Sequence, residues 1–359
     1  MGPAGKTGAD MMEVGLMNQR LFAAGLMAAG IALSAVAATP SLAVDNAKSE
    51  SNGASSYAPP KTPWGDPDLQ GMWPVGHLTG TPLERPKELG DKMYLTDEEF
   101  AEREKRMKRF SNLYNNEIKN NKLGMGHWAE VGKPQRRTSL IVDPKNGRLP
   151  AFTKLGKERS DKMRSSWQNI EFDSPHDFDS WDRCITRGMP ASMFPFQYNN
   201  GIQIMQAPGY VVLNLEMIHE ARIIPLDGRP ALSQNILQWM GASRGHWEGN
   251  TLVIVTTNLQ PGPSMTNVGT TGAPRGDNMP VSDKMKIVER LTPTSANTID
   301  YTITVSDPEN YVSPWTADLP WQRDQSYKMF EYACHEDNSM IRHYIDSSRA
   351  KRAQQASTK

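Results

Sequence analysis

Hydrophobic and polar residues alternate most regularly over 298–305. Ile299, Tyr301, Ile303 and Val305 fall on one face, and Thr298, Asp300, Thr302 and Thr304 on the other. A period of two marks a strand buried on one side. The same rhythm, less strictly kept, predicts strands over 202–206, 210–215, 219–226, 244–248, 251–257, 285–291 and 327–335. Turn chemistry separates them. Ala207-Pro208-Gly209 reads as a type II turn, Asp227-Gly228 closes a strand, and Gly249-Asn250 is a two-residue hairpin loop. That loop sets residue 246 opposite 253. His246 and Glu248 then share a face with Thr251, Val253 and Val255, while Trp247 joins Leu252 and Ile254 on the other.

Helical spacing is confined to the flanks. Thr96 and Glu99 form a capping box that opens a charged helix over 96–118. A second charged helix is predicted over 153–168 and a terminal one over 338–353, with 353–359 a disordered tail. Ahead of them, the Pro- and Trp-rich stretch from Lys61 reads as an extended arm pinned by Trp64 and Trp73. Many short strands with tight turns predict a mainly β fold, an antiparallel β-barrel or sandwich, with peripheral helices and that N-terminal arm. A lipocalin-like barrel is among the forms allowed. Residues 61–352 read as a single β-rich domain. The Gly/Pro/Thr-rich stretch 259–282 lacks periodicity and is long enough to be a flap over the sheet.

Composition narrows the class. Apolar residues are 38%, with 26 Pro and 28 Gly, which suits short strands and turns. Lys+Arg and Asp+Glu are both 40 and no basic stripe stands out, so no nucleic-acid partner is expected. The absence of a βαβ rhythm, of G-x-G-x-x-G and of a P-loop argues against nucleotide-dependent classes. Gly241-Ala242-Ser243-Arg244-Gly245 has the outer glycines of a G-x-S-x-G elbow, but Ser243 heads into a strand rather than a strand-to-helix turn, which disfavours a serine hydrolase.

The N-terminus carries an address. Arg20 precedes an Ala/Gly-rich apolar run that ends in small residues at Ser41 and Ala43, the pattern of a signal peptide over 1–43. The alternative is a membrane anchor, since the run 21–38 approaches spanning length. With cleavage, 44–60 becomes a polar flexible leader and the mature protein is periplasmic or secreted, with no stable membrane insertion. The two cysteines, Cys184 and Cys334, read either as a disulfide or as separate buried thiols; an oxidising compartment favours the bridge.

Candidate chemistry gathers on the predicted strands. His246 and Glu248 on one face form a candidate acid–base pair, or a structural pair at the rim. Glu216-x-x-His219 lies between strand-like runs, and His335 follows Cys334. Tyr198, Asn199, Arg222, Arg244 and Trp247 are candidate substrate-binding residues. These residues lead to a cofactor-independent enzyme of lyase, isomerase or hydrolase type, acting on a small apolar or aromatic molecule with His219 or His246 as base and Glu216, Glu248 or His335 as partner. The alternatives are a non-catalytic small-molecule binding protein of barrel type and a metal-dependent enzyme in which His219, His246 and His335 hold a divalent ion. No cofactor is required by the first two. The acidic span Asp173, His176, Asp177, Asp179 and Asp182 lacks the glycine of a calcium loop and reads as a solvated loop.

Seven blocks carry a resemblance: TPWGDPDLQG (62–71), LTDEEF (95–100), DRCITRG (182–188), YNNGIQIMQAPGYVV (198–212), EMIHEARIIPLDGRP (216–230), SRGHWEGNTLVIVTTN (243–258) and YACHED (332–337). On these the chain resembles a large group of exported bacterial proteins. The resemblance spans nearly the whole mature chain and implies export and one domain. It implies no activity. Both cysteines lie in its blocks, which fits a disulfide.

Overall fold

The computed structural model describes residues 57–122, 129–130, 132–164, 166, 171–261, 279–336 and 338–358. The expected signal peptide, most of the leader and most of the 259–282 stretch lie outside the described residues. The rest is mainly β. A four-stranded sheet holds β1 (Gly71–Met72), β3 (Ile202–Ala207), β4 (Tyr210–Leu215) and β5 (Ala221–Pro225) in that order. A six-stranded sheet runs β2 (Ile141–Asp143), β10 (Trp315–Gln322), β9 (Thr298–Ser306), β8 (Lys286–Ser295), β7 (Thr251–Thr257) and β6 (Ala242–Glu248). Every pairing is antiparallel. The sheets do not close into a barrel. Their inner faces share one core, with Ile202, Ile204, Val211, Leu213 and Ile224 from the first and Leu252, Ile287, Ile303, Leu319 and Trp321 from the second. That is sandwich packing.

Local sequence accounts for most of the register. Pro208-Gly209 joins β3 to β4, with Gly209 at φ 76° as a type II turn requires. Gly249-Asn250 joins β6 to β7 and sets His246 opposite Val253 and Trp247 opposite Leu252, as the hairpin geometry predicts. Where β5 and β6 come close, Gly245 is needed for its small size: a Cβ there would meet Leu226 Cδ2 at 2.7 Å and Ile224 Cγ2 at 2.9 Å.

Three expectations are corrected. Residues 327–335 form no strand; the last strand is β10, whose Trp315, Ala317, Leu319 and Trp321 are all fully buried. Pro320 hides this strand from a sequence reading, yet it lies beyond the short β2, where β10 is paired by β9. The expected disordered tail is largely helical: α4 spans Met340–Ser357, and its KRAQQAS end is made of good helix formers. Trp73 pins the arm, buried with its indole N–H donating to Leu69 O at 2.9 Å, whereas Trp64 remains 36% exposed.

The predicted helices form, with adjusted ends. They are α1 (Asp97–Ser111), α2 (Leu113–Lys119) and α3 (Lys154–Lys162). The Thr96/Glu99 capping box is made: Glu99 N–H donates to Thr96 Oγ1 and Thr96 N–H to Glu99 Oε2. No described helix is long and apolar enough to cross a membrane.

Candidate functional site

Beyond β4 the chain makes a tight 3-10 turn, Met217–His219, before β5 begins. Ile218 (φ 59°) and His219 (φ 42°) both sit in the left-handed region, which is costly for a β-branched side chain. Asn199 (φ 52°) and Cys184 (φ 57°) share this strain. Four of the six described non-glycine residues with positive φ thus belong to the segments gathered around this turn, and such strain tends to collect at functional sites.

At the centre is Glu216, only 2% exposed. Its Oε1 accepts from Asn199 Nδ2 (3.1 Å) and from the Phe330 N–H (2.8 Å), and its Oε2 from the Gly201 N–H (2.9 Å) and the Tyr327 hydroxyl (2.6 Å). Four donors satisfy a buried carboxylate. Gly201 is small for this reason, since a Cβ would meet Glu216 Oε2 at 2.6 Å and Tyr327 Cε1 at 2.8 Å. The Tyr327 hydroxyl also faces Glu130 Oε1 at 3.4 Å, and that oxygen accepts from the Asn200 N–H at 3.2 Å. Burial raises the Glu130 carboxyl above the usual glutamate range; Asn200 opposes this and the neighbouring Glu216 adds to it. Two carboxyl groups therefore flank one phenol hydroxyl.

An aromatic wall lies alongside. Trp181 meets Phe196 edge-on with centroids 4.7 Å apart, and Phe196 meets Tyr198 edge-on at 4.9 Å. The Trp181 indole N–H donates to the Tyr332 hydroxyl at 3.2 Å, and Tyr332 and Tyr198 are hydrogen-bonded to each other. The Arg187 guanidinium sits over Phe196 at 4.9 Å and over Trp181 at 5.5 Å, donating to Phe194 O at 3.3 Å. Burial pushes Arg187 down to about 10 and drives the Tyr198 phenol upward. His219 Nδ1 lies 2.9 Å from Tyr332 O. A carbonyl only accepts, so Nδ1 carries a proton and Nε2 is the ring nitrogen left to exchange one. The ring is exposed.

A disulfide joins these loops. Cys184 and Cys334 are bonded, their Cα atoms 5.6 Å apart across a sequence separation of 150. It ties the 182–188 loop to the 332–336 segment and sets Tyr332 against Trp181. Deeper, the Thr186 hydroxyl donates to Glu220 Oε2 at 2.6 Å, and burial raises that carboxyl.

The structure brings Glu216, Tyr198, Asn199 and His219 into this one cluster. Other candidates lie elsewhere. His246 Nε2 and Glu248 Oε1 are 3.2 Å apart, the pair that the hairpin register predicts, but both are about half exposed, and Glu248 also binds Arg290 at 2.8 Å. Arg290 and His246 together lower the Glu248 carboxyl. His335 is exposed beside Cys334. Arg244 donates to Ser243 O and Pro230 O, and Trp247 packs against the main core. Arg222 is in the interior, bonded to Glu289. His219, His246 and His335 do not form a ligand set: among the described residues no three His, Cys, Asp or Glu side chains are grouped to hold a metal ion.

Sequence reasoning missed Glu130, Tyr327, Arg187, Trp181 and Tyr332. Glu130 stands in a stretch without periodicity and Tyr327 at the start of an expected strand that does not form, and only the fold lays them against Glu216. Arg187, Trp181 and Tyr332 had one signal, their closeness in sequence to the two cysteines. No protein-family profile, curated protein or solved structure matches this chain.

Proposed function

We propose that the protein is an exported, cofactor-independent enzyme that moves a proton on a small apolar or aromatic molecule, with Glu130, Tyr327 and Glu216 as its proton-handling unit. One observation carries the reading: a phenol hydroxyl between two carboxyl groups, one of them raised by burial. Protonated Glu130 acts as the acid. Glu130 gives its proton to the substrate, and the Tyr327 hydroxyl, which donates to Glu216 and faces Glu130 Oε1, stabilises the carboxylate left behind until the proton taken up by His219 is returned through solvent. His219 offers its outward Nε2 as the base at the rim. The aromatic wall of Tyr198, Phe196 and Tyr332 and the exposed Phe330 favour an apolar or aromatic substrate. The disulfide supports an oxidising, extracytoplasmic address.

The test is hydrogen exchange on substrate. The wild type is incubated in D2O with a panel of aromatic carbonyl compounds bearing an acidic C–H, and deuterium uptake is followed by mass spectrometry. Uptake is expected, falling at least ~100-fold in Glu130→Gln and Tyr327→Phe, with circular dichroism unchanged. Equal uptake in the variants refutes the assignment. The sign of the pH effect gives a second check. The folded pKa of Glu130 is raised, so its contribution to stability is complete below the unfolded value and is lost as pH rises through the folded one. Glu130→Gln should therefore gain Tm relative to the wild type as pH rises from the ordinary glutamate range through the raised folded value.

A further inference from the structure

A cavity of about 110 Å³ opens between the N-terminal arm and the β8–β9 turn, sharing no residue with the carboxyl cluster. Its walls include the rings of Pro59, Pro60, Pro293 and Trp73. Two opposite charges complete it, Asp68 from the arm and Arg323 just beyond β10.

Neither charge is neutralised by a described residue. The Arg323 guanidinium lies over the Trp73 indole at 4.5 Å, and its Nε is buried with no hydrogen-bond partner. Among the described residues no carboxylate comes within ion-pair distance of it. Asp68 uses Oδ1 to accept from the backbone N–H (2.9 Å) and the side-chain amide (3.3 Å) of Gln70; no described group bonds its Oδ2. The two charges share one cavity and do not reach each other. A buried donor without an acceptor is costly, and so is a partly desolvated charge without a counter-charge.

We infer that this cavity binds a small zwitterion, a free amino acid with an apolar side chain. The carboxylate meets the Arg323 guanidinium where it lines the cavity. The ammonium meets Asp68 Oδ2. The side chain packs on the apolar wall that the proline rings contribute, an environment matched to aliphatic or ring C–H groups. The volume is several times the ~30 Å³ that one water occupies in the liquid, room for a small molecule of amino-acid size. The charge pattern also tells a zwitterion from a simple anion: a plain carboxylate would satisfy Arg323 and leave Asp68 repelling it. This inference does not rest on the proton-transfer reading.

Isothermal titration calorimetry on the folded full chain tests it with four probes: L-proline, L-valine, isobutyrate and isobutylamine. At least one amino acid is expected to bind, with the two single-charge probes at least ~10-fold weaker, the value of one ~1.4 kcal/mol interaction. Asp68→Asn and Arg323→Gln should each weaken the amino acid ~10-fold or more, and Arg323→Lys should recover part of the loss. The comparison among probes needs only the wild type, so it stands even where a variant fails to fold. Isobutyrate binding as tightly as valine, with Asp68→Asn silent, would reduce the site to a carboxylate pocket and overturn the proposal. So would the absence of heat from both amino acids at millimolar concentration.

Discussion

Glu289→Ala is expected to lower the unfolding free energy by about 3–5 kcal/mol, the largest effect of any single side chain in the fold. Glu289 is fully buried and Arg222 is 4% exposed. The guanidinium grips the carboxylate with two bonds, Nη1 to Oε1 at 2.8 Å and Nη2 to Oε2 at 2.5 Å. The Tyr301 hydroxyl adds a third bond to Oε1 at 2.7 Å, and Nη2 also reaches Thr256 Oγ1 (3.2 Å) and Ser243 Oγ (3.3 Å). Arg222 belongs to β5 of one sheet; Glu289, Tyr301, Ser243 and Thr256 belong to β8, β9, β6 and β7 of the other. The network therefore bolts the sheets together through the core. Burial works against the arginine's charge, and Glu289 more than offsets it, leaving its pKa raised. Removing Glu289 leaves that charge in the core without a partner. Replacing the set at once, as Arg222→Met with Glu289→Leu and Tyr301→Phe, removes the buried polar groups together and should cost far less. Urea unfolding of both variants decides it: a loss below about 1 kcal/mol for Glu289→Ala would show that the pair carries no such weight.

Removing the disulfide should rank beside it. Cys184→Ser with Cys334→Ser releases a loop of 150 residues, which the loop-entropy relation values at about 5 kcal/mol. The loss should be local as well as global. The bridge holds Tyr332 beside Trp181 and its carbonyl beside His219, so the 330–336 segment should gain amide exchange before the sheets do. Wild-type protein treated with dithiothreitol should behave like the double variant. A Tm unchanged by both treatments would mean that the bridge constrains little of the unfolded chain.

Strand positions were legible wherever period-two patterning met a turn of known chemistry. Gly249-Asn250 is the clearest case, since one dipeptide predicts the pairing of seven residues on each strand and the His246–Glu248 contact with it. The same contact shows the limit of the method. Register says which side chains share a face, and says nothing of what covers that face; His246 and Glu248 face solvent. β10 was missed because Pro320 argues against a strand unless the ladder beside it is known to be short.

Arg222 marks the boundary between the two kinds of information. In Ala221-Arg222-Ile223-Ile224 hydropathy favours burying Ile223, yet Ile223 is 63% exposed and Arg222 is inside. The choice was made by Glu289, 67 residues away in the other sheet. By itself the sequence determined the class of fold, the hairpins and the capped first helix, because each depends on neighbours in the chain; it left Cys184 and Cys334 open between a disulfide and two separate thiols, which the structure shows bonded. Only the tertiary structure decided that Glu130, Tyr327 and Glu216 meet, that Arg187 lies among aromatic rings, and that Asp68 and Arg323 share a cavity. Those meetings depend on how loops from distant segments pack, and no local pattern encodes the distance between them.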